Sequence, residues 1–95
     1  MMVLDAKDWL DVFPALDDVD RFNMLILLNN EGPLFHREIA ERRTLSASRV
    51  THHLNRLMDT KLIKNEYVTP QGNERLYSRY QITEKGEEIL RILFP

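Results

Sequence analysis

HREIAERRTLSASRVTHHLNRL, from His36 to Leu57, is the stretch that decides the architecture. Its first part predicts a short helix over about 36–43, anchored by Ile39 and Ala40; its second predicts a longer helix over about 47–60. Thr44-Leu45 make a turn between them. Ser46 can cap the longer helix, because its hydroxyl accepts from a backbone amide left free in the first turn. Position 49 is Arg rather than Glu or Gln, so the cap rests on the hydroxyl alone. Val50, Leu54, Leu57 and Met58 recur every three or four residues and form an inner face. Ser46, Ala47, Ser48, Arg49, Thr51, His52, Asn55 and Arg56 remain for the other faces, and none of them is acidic. A turn of about three residues holds the start of this helix away from the core.

Upstream, Gly32-Pro33 stop a helix that begins after Asp17 or Asp18, either of which can cap it, and runs to about Asn30. Val19, Phe22, Leu25 and Leu28 should form its inner face, while Met24, Ile26 and Leu27 widen the apolar surface beyond one stripe. A shorter helix is expected over 4–13, with Leu4, Trp9, Leu10 and Phe13 apolar, interrupted by Pro14. Downstream, 62–68 and 75–82 read as strands around a tip rich in turn formers, including Gly72 and Asn73. In the second strand Leu76, Ser78, Tyr80 and Ile82 alternate with Arg75, Tyr77, Arg79 and Gln81. Thr83 can cap a last helix bearing Ile89, Leu90, Ile92, Leu93 and Phe94. Gly86 should weaken its first turn by roughly 1 kcal/mol relative to Ala.

Ninety-five residues suffice for one core and leave no room for a second. The composition, 43% hydrophobic and 29% charged, is that of an ordinary globular chain. Cysteine is absent, which excludes disulfides, thiolate metal sites and a cysteine nucleophile. The N-terminus has neither the basic flank nor the apolar run of a signal peptide. Met24 to Leu28, the longest apolar run, is too short to cross a bilayer. The net charge of −2 is unevenly spread. Residues 1–20 hold six aspartates against Lys7, a net −5, whereas 42–79 hold eight cations against three acids, a net +5. A local basic surface attracts phosphate whatever the whole chain carries.

The series Gly32-Pro33-Leu34, His36 to Glu41, Leu45 to Leu57, Leu62-Ile63 and Tyr80 to Gly86 resembles the winged-helix regulators of the MarR and ArsR type. The resemblance covers about residues 17–90 and leaves the acidic N-terminal segment unmatched. It implies a mainly α fold with a small β-hairpin, a winged helix-turn-helix with a three-helix core, a two-stranded wing and flanking terminal helices. The expected organisation is a single DNA-binding domain over 1–95: a helical extension 1–16, a core 17–82 and a C-terminal helix 83–95. Where these regulators commonly carry Gly at the end of the second helix, this chain has Lys61. In the left-handed conformation that costs roughly 1 kcal/mol or more.

The expected function is sequence-specific binding of double-stranded DNA in transcription regulation, with helix 47–60 in the major groove and the wing at the minor groove. Arg, Asn, Ser and Thr pair with base edges there. By the resemblance, Ser48, Thr51 and His52 meet bases, Asn55 and Arg56 reach phosphate, and His53 supports packing. Ser46 and Arg49 complete the helix's set. Arg75 is expected at the minor groove and Arg79 on phosphate, although Glu74 makes the tip less basic than is usual in related wings. Spare apolar residues at both ends (Trp9, Leu10, Phe13, Ile92, Leu93 and Phe94) suggest a homodimer through the terminal helices. The expected setting is the cytoplasm, at the nucleoid, with repression as the action.

No cofactor and no metal are expected. Adjacent His52 and His53 point about 100° apart on a helix and cannot readily share an ion. An enzyme is not expected either, since Ser46 and Ser48 lie beside His52 and Asp59 without a nucleophile elbow or an oxyanion loop. The competing reading is a winged helix used for protein–protein contact in a transcription or replication assembly, with the acidic N-terminus meeting a basic partner.

Overall fold

A computed structural model describes residues 2–72 and 74–95. The order is α1 (Ala6–Leu16), α2 (Val19–Glu31), β1 (Leu34–Phe35), α3 (His36–Arg43), α4 (Ala47–Asp59), β2 (Ile63–Val68), β3 (Tyr77–Ile82) and α5 (Glu84–Leu93). Asn73, counted in the hairpin tip, lies outside the described residues.

Helix α1 starts on a reciprocal cap in which Asp5 Oδ1 accepts from the Asp8 amide at 3.0 Å and Asp8 Oδ2 from the Asp5 amide at 3.1 Å. The Asp5 backbone amide is the main cause holding the Asp8 carboxyl below its usual range. The helix does not stop at Pro14, as the sequence suggested, but runs through it to Leu16. The carbonyl that Pro14 leaves without a partner belongs to Leu10, an exposed residue. Burial of Val12, Ala15 and Leu16 carries the last turn inward.

In α2 the inward stripe is Arg21, Met24, Leu25 and Leu28, not one that begins at Val19. Val19 is 77% exposed, because it stands directly after the Asp18 cap, and the core-facing period starts two residues later. Arg21 is tolerated inside because its Nη1 donates to the Ala15 carbonyl at 2.9 Å, tying the end of α1 to α2. Asp18 caps α2 by accepting from the Arg21 amide at 2.9 Å. Gly32 ends the helix at φ 80°, a backbone angle suited to glycine.

The sheet has three strands in the order β1-β3-β2, all antiparallel, one more than the expected wing. Two residues, Leu34 and Phe35, pair with Tyr80 and Arg79; so short a strand leaves no period in a sequence. The β2–β3 register runs from Ile63↔Ile82 to Val68↔Tyr77. Arg75 and Leu76 precede β3 rather than belonging to it. Leu76 is exposed, so the expected apolar face begins only where Tyr80 and Ile82 pack against the core.

The core gathers Leu25 and Leu28 of α2, Ile39 of α3, Val50, Leu54 and Leu57 of α4, Leu62 and Ile63, and Ile89 of α5, together with the inner residues of α1. Gly86 is buried where α5 crosses the strands. A Cβ there would collide with the Leu62 carbonyl and lie 2.6 Å from Ile82 Cγ1. The glycine that weakens a helix turn in isolation is what lets α5 approach.

Candidate nucleic-acid interface

Two tight turns set the position of α4. After α3, Thr44 takes a left-handed conformation at φ 54°. The Leu45 amide then donates to the Ala40 carbonyl at 3.1 Å and the Thr44 amide to Glu41 at 3.4 Å, the paired bonds that close a helix and reverse the chain. Ser46 follows as the cap of α4, its Oγ accepting from the Arg49 amide at 3.3 Å. At the far end, the Lys61 amide donates to the Met58 carbonyl at 2.9 Å and Leu62 to Leu57 at 3.0 Å. Lys61 sits at φ 61°, the left-handed position where the resemblance expected glycine. The start of α5 clamps this end: Thr83 Oγ1 donates toward the Lys61 and Leu62 carbonyls at 2.7 and 3.0 Å, and Lys85 Nζ to the Thr60 carbonyl at 3.1 Å.

Along α4, Val50, His53, Leu54 and Leu57 are buried, an i, i+3, i+4, i+7 stripe. Ser48, Thr51, His52 and Asn55 repeat the same spacing two residues out of phase, about 200° around the axis, and all four are exposed. Ser46, Arg49 and Arg56 are exposed as well. The structure therefore brings all seven helix residues singled out in the sequence to the outside of one element. His53 is 3% exposed. Burial is the main cause holding its imidazole below the ordinary value, opposed by the nearby Asp18 carboxylate, whose Oδ1 is 3.8 Å from Nε2, and reinforced by Arg21. In return, Asp18 is held low chiefly by the Arg21 amide that it caps.

Two exposed side chains are already engaged. Arg49 Nη2 lies 2.8 Å from Asp20 Oδ2, which ties the first turn of α4 to that of α2. Thr51 Oγ1 lies 2.9 Å from His36 Nε2. Neither link was visible in the sequence, since 29 and 15 residues separate the partners. Asp18, Asp20 and His53 also bring possible ligand atoms within 4.8 Å of one another. The fold accounts for this cluster: one carboxylate caps α2 and the other pairs with Arg49.

In the wing, Gly72 adopts φ 80° near the tip. The exposed Arg75 places its guanidinium 6.0 Å from the Tyr77 ring centroid. Arg79 faces Glu66 across the β2–β3 pair and is held by it, with Nε 3.1 Å from Oε1. Its guanidinium is therefore engaged within the sheet. Between the start of α3 and the hairpin lies a cavity of about 610 Å³, lined by Phe35, His36, Arg37, Pro70, Tyr77 and Ser78. Among the described residues, no helix is long and apolar enough to cross a membrane.

Comparison with solved structures agrees with this fold. HlyU from Vibrio cholerae N16961 superposes with a TM-score of 0.77 at 19% identity, covering 97% of this chain and 94% of that one. RV1404 from Mycobacterium tuberculosis superposes at 0.68 with 23% identity over 78% of this chain, and a MarR family transcriptional regulator from Silicibacter pomeroyi at 0.68 with 18% over 78%. The chain spans 49% and 48% of the length of those last two proteins. At these identities the likeness establishes the fold alone. Comparison with curated protein sequences finds none that matches. Residues 18–65, just over half of the chain and spanning α2 to the start of β2, match the family described as "Bacterial regulatory protein, arsR family". With its winged helix-turn-helix and an outward face on α4 that carries no acid from 46 to 56, the chain belongs to the arsR family of bacterial regulatory proteins and is a DNA-binding transcriptional regulator.

Proposed function

We propose that this chain reads specific duplex sequences by laying the outward face of α4 in the major groove, with Ser48, Thr51 and His52 toward the bases. Ser46, Arg49, Asn55 and Arg56 then flank the base-reading stripe and meet the sugar-phosphate ridges. Arg75 carries the wing's contact at the minor groove, where a guanidinium is drawn by the negative potential. Arg79 meets phosphate in competition with Glu66, which already holds two of its guanidinium nitrogens. One observation carries this reading: the outward residues of α4 are solvent-exposed, and those from 46 to 56 include no carboxylate. That face also speaks against the protein–protein alternative, in which a basic recognition surface would not be needed.

The terminal helices support a homodimer. Leu10 is 71% exposed on α1 and Phe94 60% exposed beyond α5, with Phe13, Ile92 and Leu93 also uncovered. Trp9 leaves this set because it packs against the core. A two-fold dimer would present two copies of α4 to one DNA face. Occupancy of such sites at the nucleoid, in the cytoplasm, with repression as the outcome, belongs to the same reading.

The test is binding to duplex DNA followed by fluorescence anisotropy across a salt series. Arg56→Ala should weaken binding on every sequence and reduce the salt slope by about one. Thr51→Val should instead change which sequence is preferred, by roughly 1–3 kcal/mol at the affected base pair. Salt-independent binding, or equal loss from Thr51→Val on all sequences, would overturn the proposal.

A further inference from the structure

His36 lies outside the set of residues read as touching DNA, yet it holds one of them. Its Nε2 is 2.9 Å from Thr51 Oγ1, joining the first residue of α3 to the middle of the outward stripe on α4. The hydroxyl makes no other hydrogen bond among the described residues. His36 is itself well fixed. Phe35 before it pairs with Arg79 of β3, and the Phe35 amide donates to Glu38 Oε1 at 2.9 Å. These bonds hold the backbone of His36 beside α4, and the contact to Thr51 is the one its half-buried ring makes among the described residues.

A threonine hydroxyl has one proton to give and two lone pairs to receive. If the proton goes to the imidazole, only lone pairs remain for a base, which suits the amino groups of adenine or cytosine. If the ring donates instead, the hydroxyl keeps its proton and suits guanine O6 and N7 or thymine O4. The contact also selects between the two χ1 rotamers that a helical threonine otherwise shares. We propose that His36 is a positioning residue that determines specificity: by holding the rotamer of the Thr51 hydroxyl and taking up either its proton or one of its lone pairs, it selects the base pair that Thr51 meets. The proposal rests on the reading of α4 as the base-contacting helix.

A double-mutant cycle tests it. The full chain, His36→Ala, Thr51→Val and the double variant are titrated with duplexes carrying the preferred site and every single-pair change in it. Both single variants should alter discrimination at the same pair by about fivefold or more. The double variant should do no more than Thr51→Val alone, because both remove one interaction. His36→Gln, which keeps volume at the half-buried position and offers both a donor and an acceptor, should relax the preference at that pair and leave the others unchanged; it carries the test if the alanine variant does not fold. The proposal is overturned if Thr51→Val shifts one pair while the His36 variants leave it within about twofold, if they shift a different pair, or if the effects add. A Thr51→Val variant that shifts no pair overturns the reading beneath it too, so the two failures are distinguishable.

Discussion

Lys61 and Thr44 hold positive φ, at 61° and 54°, without being glycine. At Lys61 the strain is offset by the two amide bonds that close α4 and by burial of Leu57 and Leu62 on either side. Lys61→Gly should therefore raise stability by about 1 kcal/mol, seen as a higher denaturation midpoint; a lower midpoint would show that the lysine side chain contributes more than the strain costs. Gly86 is the opposite case. Gly86→Ala should cost about 1–3 kcal/mol or more, since the added methyl meets the Leu62 backbone and Ile82; a neutral change in thermal unfolding would show that α5 can move away. His53 sets a pH dependence. Its folded-state pKa lies below the unfolded value of about 6.5, so on acidification the unfolded chain takes the proton first. The stability linked to this group is complete above about pH 6.5 and declines as pH falls toward the folded value. Thermal unfolding between pH 7.5 and 5.5 should show the decline, and His53→Gln should flatten it; an equal slope in both proteins would place the dependence elsewhere.

At the scale of elements, the sequence was most legible where periodicity is strong and capping is local. Helices α3 and α4 stand within a residue of their expected bounds, because Ile39, Val50, Leu54 and Leu57 mark inward faces and Ser46 caps its own helix. Local signals failed where tertiary packing decides. Pro14 stays inside α1 because Ala15 and Leu16 are drawn into the core, and Val19 lost its inward place to a buried arginine whose carbonyl partner belongs to another helix. Strand β1 was invisible because pairing, not composition, makes it a strand. The outward face of α4 could be read in advance, but its restraints could not, since Asp20 and His36 reach it from other elements. The Asp20 carboxylate competes with phosphate for the Arg49 guanidinium, so Asp20→Asn should tighten DNA binding, most at low salt. Unchanged affinity across the salt series would mean that Arg49 never reaches the backbone.

For the whole molecule, charge is unevenly divided along the chain. Six aspartates fall within residues 1–20 and eight of the thirteen cations within 42–79, while Leu10 and Phe13 of α1 and Ile92, Leu93 and Phe94 at the C-terminal end are uncovered. If the last group pairs two copies, sedimentation at tens of micromolar should give twice the chain mass, and Phe94→Glu should give a monomer with weaker DNA binding. A wild-type monomer at that concentration would remove the dimer. Whether the outward stripe of α4 reads bases is decided by selecting bound sites from random duplex DNA. One sequence should be enriched as an inverted repeat, with half-sites about one helical turn, 10–10.5 base pairs, or a multiple of it apart. Thr51→Val should enrich a sequence changed at the position it meets in each half-site. Recovery of no preferred sequence, or of the same sequence by the wild type and a variant stripped of Ser48, Thr51 and His52 side chains, would contradict base reading by α4.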